Sequence, residues 1–129
     1  MSQEPHAPAG TILVGDDEPP VLRVVQRILT RVGYTVLPAE DGQAAVHAFK
    51  GHEGAIDLVI LDVSMPKLSG VEAAIQIRAL DPSVKIMVSS GYDAATAIGD
   101  APEGVVTGFL QKPFTPSQLR TTIQELLAT

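Results

Sequence analysis

The run Ile56-Asp57-Leu58-Val59-Ile60-Leu61, closing on the carboxylate of Asp62, constrains this chain more than any other segment. A near-continuous apolar run rich in β-branched residues describes a strand buried on both faces, as in parallel sheets covered by helices. An ionised carboxylate is costly to bury without partners. Asp62 must therefore lie at the open end of its strand, in the company of other polar groups. A second run, Thr11-Ile12-Leu13-Val14, leads into Asp16-Asp17. Two strand ends delivering three acids suggest a cation site and a candidate acyl-phosphate nucleophile.

The remaining chain alternates between strand and helix signals. Strands are predicted at Thr11–Gly15, Tyr34–Leu37, Ile56–Leu61, Val84–Val88 and Val105–Leu110. After Pro19-Pro20, apolar residues recur at helical spacing from Val21 to Val32, and Gly33 stops that helix. Further helices follow Asp41-Gly42, run from Ser69-Gly70 to Leu80, and occupy Ser117–Leu127. Ala94–Ile98 reads as a short helix cut off by Gly99 and Pro102. Five βα units imply an α/β fold, with right-handed crossovers and helices on both faces of a parallel sheet. Ligands of such sheets sit beyond the carboxyl ends of the strands. Asp16, Asp17, Asp62, Ser89 and Lys112 all fall there.

Composition narrows the function classes. The chain has 129 residues, 45% of them hydrophobic, enough for one domain with a real core. Residues 1–10, rich in Pro, Ala and Gly, read as a flexible leader or linker remnant, leaving 11–129 as the domain. The 9 basic and 15 acidic residues give a net charge of −6, with no basic run. That argues against this domain gripping nucleic acid or an anionic membrane. Cysteine is absent, so thiolate metal sites and disulfides are excluded. A cytoplasmic location is the expectation, since neither a membrane span nor a signal peptide is evident.

Each candidate residue has a plainer reading when taken alone. Asp16-Asp17 could cap a helix, Asp62 a turn, and Ser89-Ser90-Gly91 could be a polar turn. Lys112 could be an ion-paired surface lysine, and Phe109 ordinary core. Their convergence on one sheet edge favours a site. Two carboxylates about 4 Å apart repel by about 4 kcal/mol at an effective dielectric near 20. Raised pKa values or a cation must offset that. An all-oxygen donor set suits Mg²⁺, and a fixed lysine beside it could neutralise a transferring phosphoryl group. His6, His47 and His52 have no ligand spacing with one another and receive no role.

Taken together, these segments resemble the receiver domain of bacterial two-component response regulators. The resemblance rests on Leu13-Val14-Gly15-Asp16-Asp17-Glu18 and on Leu58 through Pro66 with Gly70. It continues in Val88-Ser89-Ser90-Gly91-Tyr92 and Phe109-Leu110-Gln111-Lys112-Pro113-Phe114. It spans about residues 11 to 127. The resemblance implies a flavodoxin-like (βα)5 three-layer sandwich with strand order 2-1-3-4-5. It implies a phosphorylation-dependent signalling switch rather than a metabolic enzyme.

In that reading Asp62 is the phosphoacceptor, taking a phosphoryl group from a sensor histidine kinase or a histidine phosphotransfer protein. Asp16, Asp17, Asp62 and the main-chain carbonyl of Ser64 would hold Mg²⁺, Asp16 largely through water. Lys112 would pair with the phosphoryl group, Ser89 would be the switch hydroxyl, and Phe109 the switch aromatic.

Some features depart from the pattern. Gly15 replaces a bulkier apolar residue and is expected to loosen the end of strand one. The segment Gly99–Gly104 leaves little room for a long fourth helix, so a monomer or weak dimer is expected. The wording around Ser89 and Lys112 leans toward receivers at the C-terminal end of hybrid sensor kinases. Two rivals remain at this point. A haloacid-dehalogenase-like phosphatase would need a second acid where Ser64 stands. A degenerate receiver would signal without phosphorylation, although all the expected positions are filled.

Overall fold

A computed structural model describes residues 10–128. The expected leader at residues 1–9, like Thr129, lies outside the described residues. The chain order is β1 (Gly10–Gly15), α1 (Pro19–Arg31), β2 (Tyr34–Ala39), α2 (Gly42–Gly51) and β3 (Leu58–Asp62). It continues with α3 (Gly70–Leu80), β4 (Lys85–Ser90), α4 (Ala94–Ile98), β5 (Gly108–Gln111) and α5 (Pro116–Leu127). All strand pairs are parallel, in the order β2-β1-β3-β4-β5. Gly10 thus belongs to the sheet, one residue ahead of the expected boundary.

Alternation along the buried strands sorts side chains into two cores. Ile12, Val14, Leu58, Ile60 and Met87 pack beneath α1 and α5 with Leu22, Leu29, Leu119 and Ile123. Leu13, Val59, Leu61, Ile86 and Val88 face α2 and α3 with Phe49, Ala73 and Ile77. Every residue of β3 is buried, which a central parallel strand between two helical layers requires. Pro38 is accommodated in β2 because that strand is an edge of the sheet.

Three strands start later than the apolar pattern predicts: β4 by one residue, at Lys85 rather than Val84, and β3 and β5 by more, where a side chain stands in for the ladder. Asp57 uses its carboxylate to accept the Thr11 N–H at 2.8 Å, so β3 begins at Leu58 rather than Ile56. Thr107 Oγ1 accepts the Ile86 N–H at 2.7 Å and donates to the Ile86 carbonyl at 3.0 Å. Regular pairing with β4 therefore begins at Gly108 rather than Val105. The short α4 is present as expected, capped by Asp93 and ended by Gly99 at φ +59°. α5 begins one residue early, on Pro116, behind a Thr115–Gln118 capping box.

Gly15 corrects an expectation. It is buried and paired with both Ala39 and Leu61, so the end of β1 is not loose. A Cβ there would stand 2.9 Å from Leu61 Cδ2 and 3.5 Å from the Met65 sulfur. Neighbouring side chains fill the space that a larger residue would take.

Candidate functional site

The carboxyl ends of β1, β3, β4 and β5 meet at one edge of the sheet. Because Gly15 registers with Leu61, and Asp62 with Ser89, the strand ends bring the acids and the serine together. Carboxylate oxygens of Asp16, Asp17 and Asp62 all lie within 4.8 Å of one another. Asp16 and Asp62 are buried at 5% and 7% exposure, while Asp17 opens to solvent.

Lys112 reaches this cluster from the residue after β5. Its Nζ donates to Asp16 Oδ2 at 3.0 Å and lies 3.4 Å from Asp62 Oδ1. Its backbone N–H donates to the Ser90 carbonyl at 2.8 Å, which fixes its starting point against β4. The Lys112–Pro113 peptide bond is cis. Asp16 Oδ1 accepts the Glu18 N–H at 2.9 Å, so both Asp16 oxygens are engaged.

The electrostatics follow from this crowding. Burial pushes the Asp62 carboxyl above its ordinary value; Lys112 opposes the rise, and the charges of Asp16 and Asp17 add to it. Burial pulls the Lys112 ammonium down. The hydrogen bond to Asp16 and the charges of Asp16 and Asp62 outweigh that and raise it, so it stays charged. The three acids and one lysine leave the site with net negative charge. An oxygen-only donor set of that sign fits a hard divalent cation such as Mg²⁺.

Ser89 Oγ is buried beside Asp62 with no hydrogen-bond partner. Phe109 registers with Val88 on β5 and is half-buried at the margin of the α2–α3 core. Ser64 lies two residues after Asp62 in the β3–α3 loop, exposed to solvent. That loop is held closely: Val63 N–H donates to the Ser89 carbonyl, and Gly70 N–H to the Val63 carbonyl, each at 2.9 Å. A Cβ on Gly70 would collide with the Asp62 carbonyl, so α3 starts against the end of β3 only because residue 70 is glycine. His47 is exposed on α2, outside the site. The engagement of the Glu18 N–H was not readable from sequence, since it depends on the turn after Asp17.

Comparison with known proteins agrees with this geometry. The response regulator receiver domain family matches residues 12–124. The sensor kinase CckA of Brucella abortus is 34% identical over 119 residues, covering 92% of this chain but 13% of that protein. The chemotaxis protein CheY of Thermotoga maritima is 32% identical over 109 residues, covering 84% of this chain and 89% of that protein. The solved structure of the response regulator TrrA from Thermotoga maritima, in complex with Mg(2+)-BeF, superposes with a TM-score of 0.80 at 32% identity. It covers 91% of this chain and 98% of that one. This chain belongs to the response regulator receiver domain family, with the flavodoxin-like fold and the two-component signalling role of that family. Among the described residues no helix is long and apolar enough to cross a membrane.

Proposed function

We propose that Asp62 accepts a phosphoryl group from a phosphohistidine on a sensor kinase or phosphotransfer protein. The observation that carries this reading is Lys112 bridging Asp16 and Asp62 at the sheet edge. An Asp62 oxygen attacks the phosphorus, the new O–P bond forms, and the histidine N–P bond breaks with its electron pair returning to the ring. Lys112 shifts from Asp62 toward the incoming phosphoryl oxygens and balances their charge. Asp16, Asp17, Asp62 and the Ser64 main-chain carbonyl would hold Mg²⁺. When bound, the ion supplies further charge neutralisation at the phosphoryl oxygens.

The Ser89 hydroxyl then has the partner it lacks, donating to a phosphoryl oxygen in a charge-assisted bond. Ser89 pairs with Leu110 on the face of the sheet opposite Phe109, so its movement reaches the Phe109 ring through the β4 backbone at Val88 rather than by vacating space beside it. The chain is in this reading a switch rather than a metabolic enzyme, cytoplasmic and a monomer or weak dimer. A groove of about 580 Å³ runs between α1 and the β5–α5 loop, lined by Pro20, Val21, Val24, Phe114 and Lys112. It leads to the site and offers an apolar seat for the phosphohistidine-bearing partner. Mg²⁺-dependent binding of beryllofluoride, followed by NMR at Ser89 and Phe109, tests this reading. Absence of binding leaves a receiver that signals without phosphorylation.

A further inference from the structure

Arg78, in the last turn of α3, is a half-buried cationic side chain whose Nε is enclosed. Its terminal nitrogens donate in two directions. Nη1 bonds the Asp81 carbonyl at 3.1 Å, at the end of its own helix. Nη2 bonds the Val105 carbonyl at 3.0 Å, 27 residues further along the chain. Nε is buried without a partner, and burial lowers the Arg78 pKa against the opposing charge of Asp81. A desolvated guanidinium with one unmet donor is costly, so the two Nη bonds must offset that cost.

Those bonds fall at a boundary. Residues 91–104 connect β4 to β5, and within this stretch only Ala97 is buried. A Cβ at Gly91 or Gly104 would meet nothing within 4 Å, and Gly99 and Gly104 adopt φ of +59° and +88°. The bonds of α4 are ordinary, 2.9 Å for Ala97 N–H to the Asp93 carbonyl, but those after it are long: Ala101 N–H to the Ile98 carbonyl at 3.3 Å and Val105 N–H to the Pro102 carbonyl at 3.2 Å. Val105, by contrast, is 6% exposed and packed into the α2–α3 core. Beyond it, Thr107 is fastened to Ile86 and β5 begins. A lightly held segment therefore starts two residues after Ser89 and ends at the carbonyl that Arg78 grips.

We propose that Arg78 is a positioning residue of the switch, pinning Val105 to α3 so that residues 91–104 rearrange without disturbing β5. Displacement that begins at Ser89 is absorbed between Gly91 and Gly104, and the β4–β5 register survives it. Phe109 can then change its side-chain state on a strand whose backbone stays in place. This role rests on the phosphorylation reading above.

Amide hydrogen exchange on the parent protein, Arg78→Lys and Arg78→Met, each with and without Mg²⁺ and beryllofluoride, tests it. Without beryllofluoride, Arg78→Met should speed exchange of the amides of residues 103–107 at least tenfold, with those of Ile12–Val14 within twofold of the parent. Arg78→Lys keeps the charge but cannot span both carbonyls, so it should fall between; it also serves if Arg78→Met does not fold. With beryllofluoride, the changes in protection should end at Gly104 in the parent and reach β5 in the variants. Uniform acceleration along the chain overturns the proposal, because Arg78 is then a general stabiliser. A beryllofluoride response that spreads equally in parent and variants overturns the Arg78 role alone. No response in the parent overturns the phosphorylation reading and the switch role with it.

Discussion

Lys112 Nζ stands 3.0 Å from Asp16 Oδ2 and 3.4 Å from Asp62 Oδ1, so one ammonium is shared by the ends of two strands. Replacing it leaves acids within 4.8 Å of one another without their counter-charge. Lys112→Met should lower stability in metal-free buffer by about 1–3 kcal/mol, less than for a fully buried pair because Lys112 is partly solvated. It should also raise the Asp62 pKa further. Urea denaturation in EDTA and in Mg²⁺ checks this, with the ion recovering more stability in the variant than in the parent.

Metal binding should be visible as folding stability. A ligand that binds only the folded state at 100 times its dissociation constant adds about 2.7 kcal/mol. Mg²⁺ should therefore raise the unfolding temperature of the parent protein. Asp17→Asn should weaken Mg²⁺ affinity at least tenfold by titration calorimetry. Its metal-free stability should change little, because Asp17 is exposed and its loss relieves repulsion.

Ser89 offers a separation of stability from switching. Its buried hydroxyl has no partner, so Ser89→Ala should leave stability unchanged or raise it by up to about 1 kcal/mol. The variant should still bind beryllofluoride but fail to transmit the change to Phe109. Urea midpoints and the NMR response of the Phe109 ring measure the two effects independently.

Asp81 supplies a pH signature away from the site. Its Oδ1 accepts the Ser83 N–H at 2.9 Å, the Ser83 hydroxyl at 3.0 Å and the Val84 N–H at 3.2 Å. The Ser83 backbone bond leads the effects that hold its pKa below the ordinary 3.8. The folded form then binds fewer protons than the unfolded one, so the stabilisation is complete above 3.8 and lost as pH falls through the folded value. Asp81→Asn should be less stable than the parent at neutral pH. That gap should close as pH falls from the ordinary value of 3.8 through the lower folded one.

The layered fold was legible because the β-branched runs at Ile12–Val14 and Leu58–Leu61 have few other uses, and each leads into an acid. The strand starts at Leu58 and Gly108 were not, since Asp57 and Thr107 replace ladder groups only once their neighbours are in place. Gly15 misled for a similar reason: whether a glycine leaves slack depends on what fills it, and Leu61 and Met65 do. That Asp16, Asp17 and Asp62 come together was legible because each stands at or just beyond the end of a parallel strand. The sharing of Lys112 and the reach of Arg78 depend on distances that sequence spacing does not encode.

The central claim is that Asp62 is the acceptor, and acetyl phosphate labelling tests it most directly. With Mg²⁺, the parent protein should acquire one hydroxylamine-labile phosphate that peptide mapping places on Asp62, and Asp62→Asn should acquire none. Equal labelling of Asp62→Asn and the parent would contradict the account.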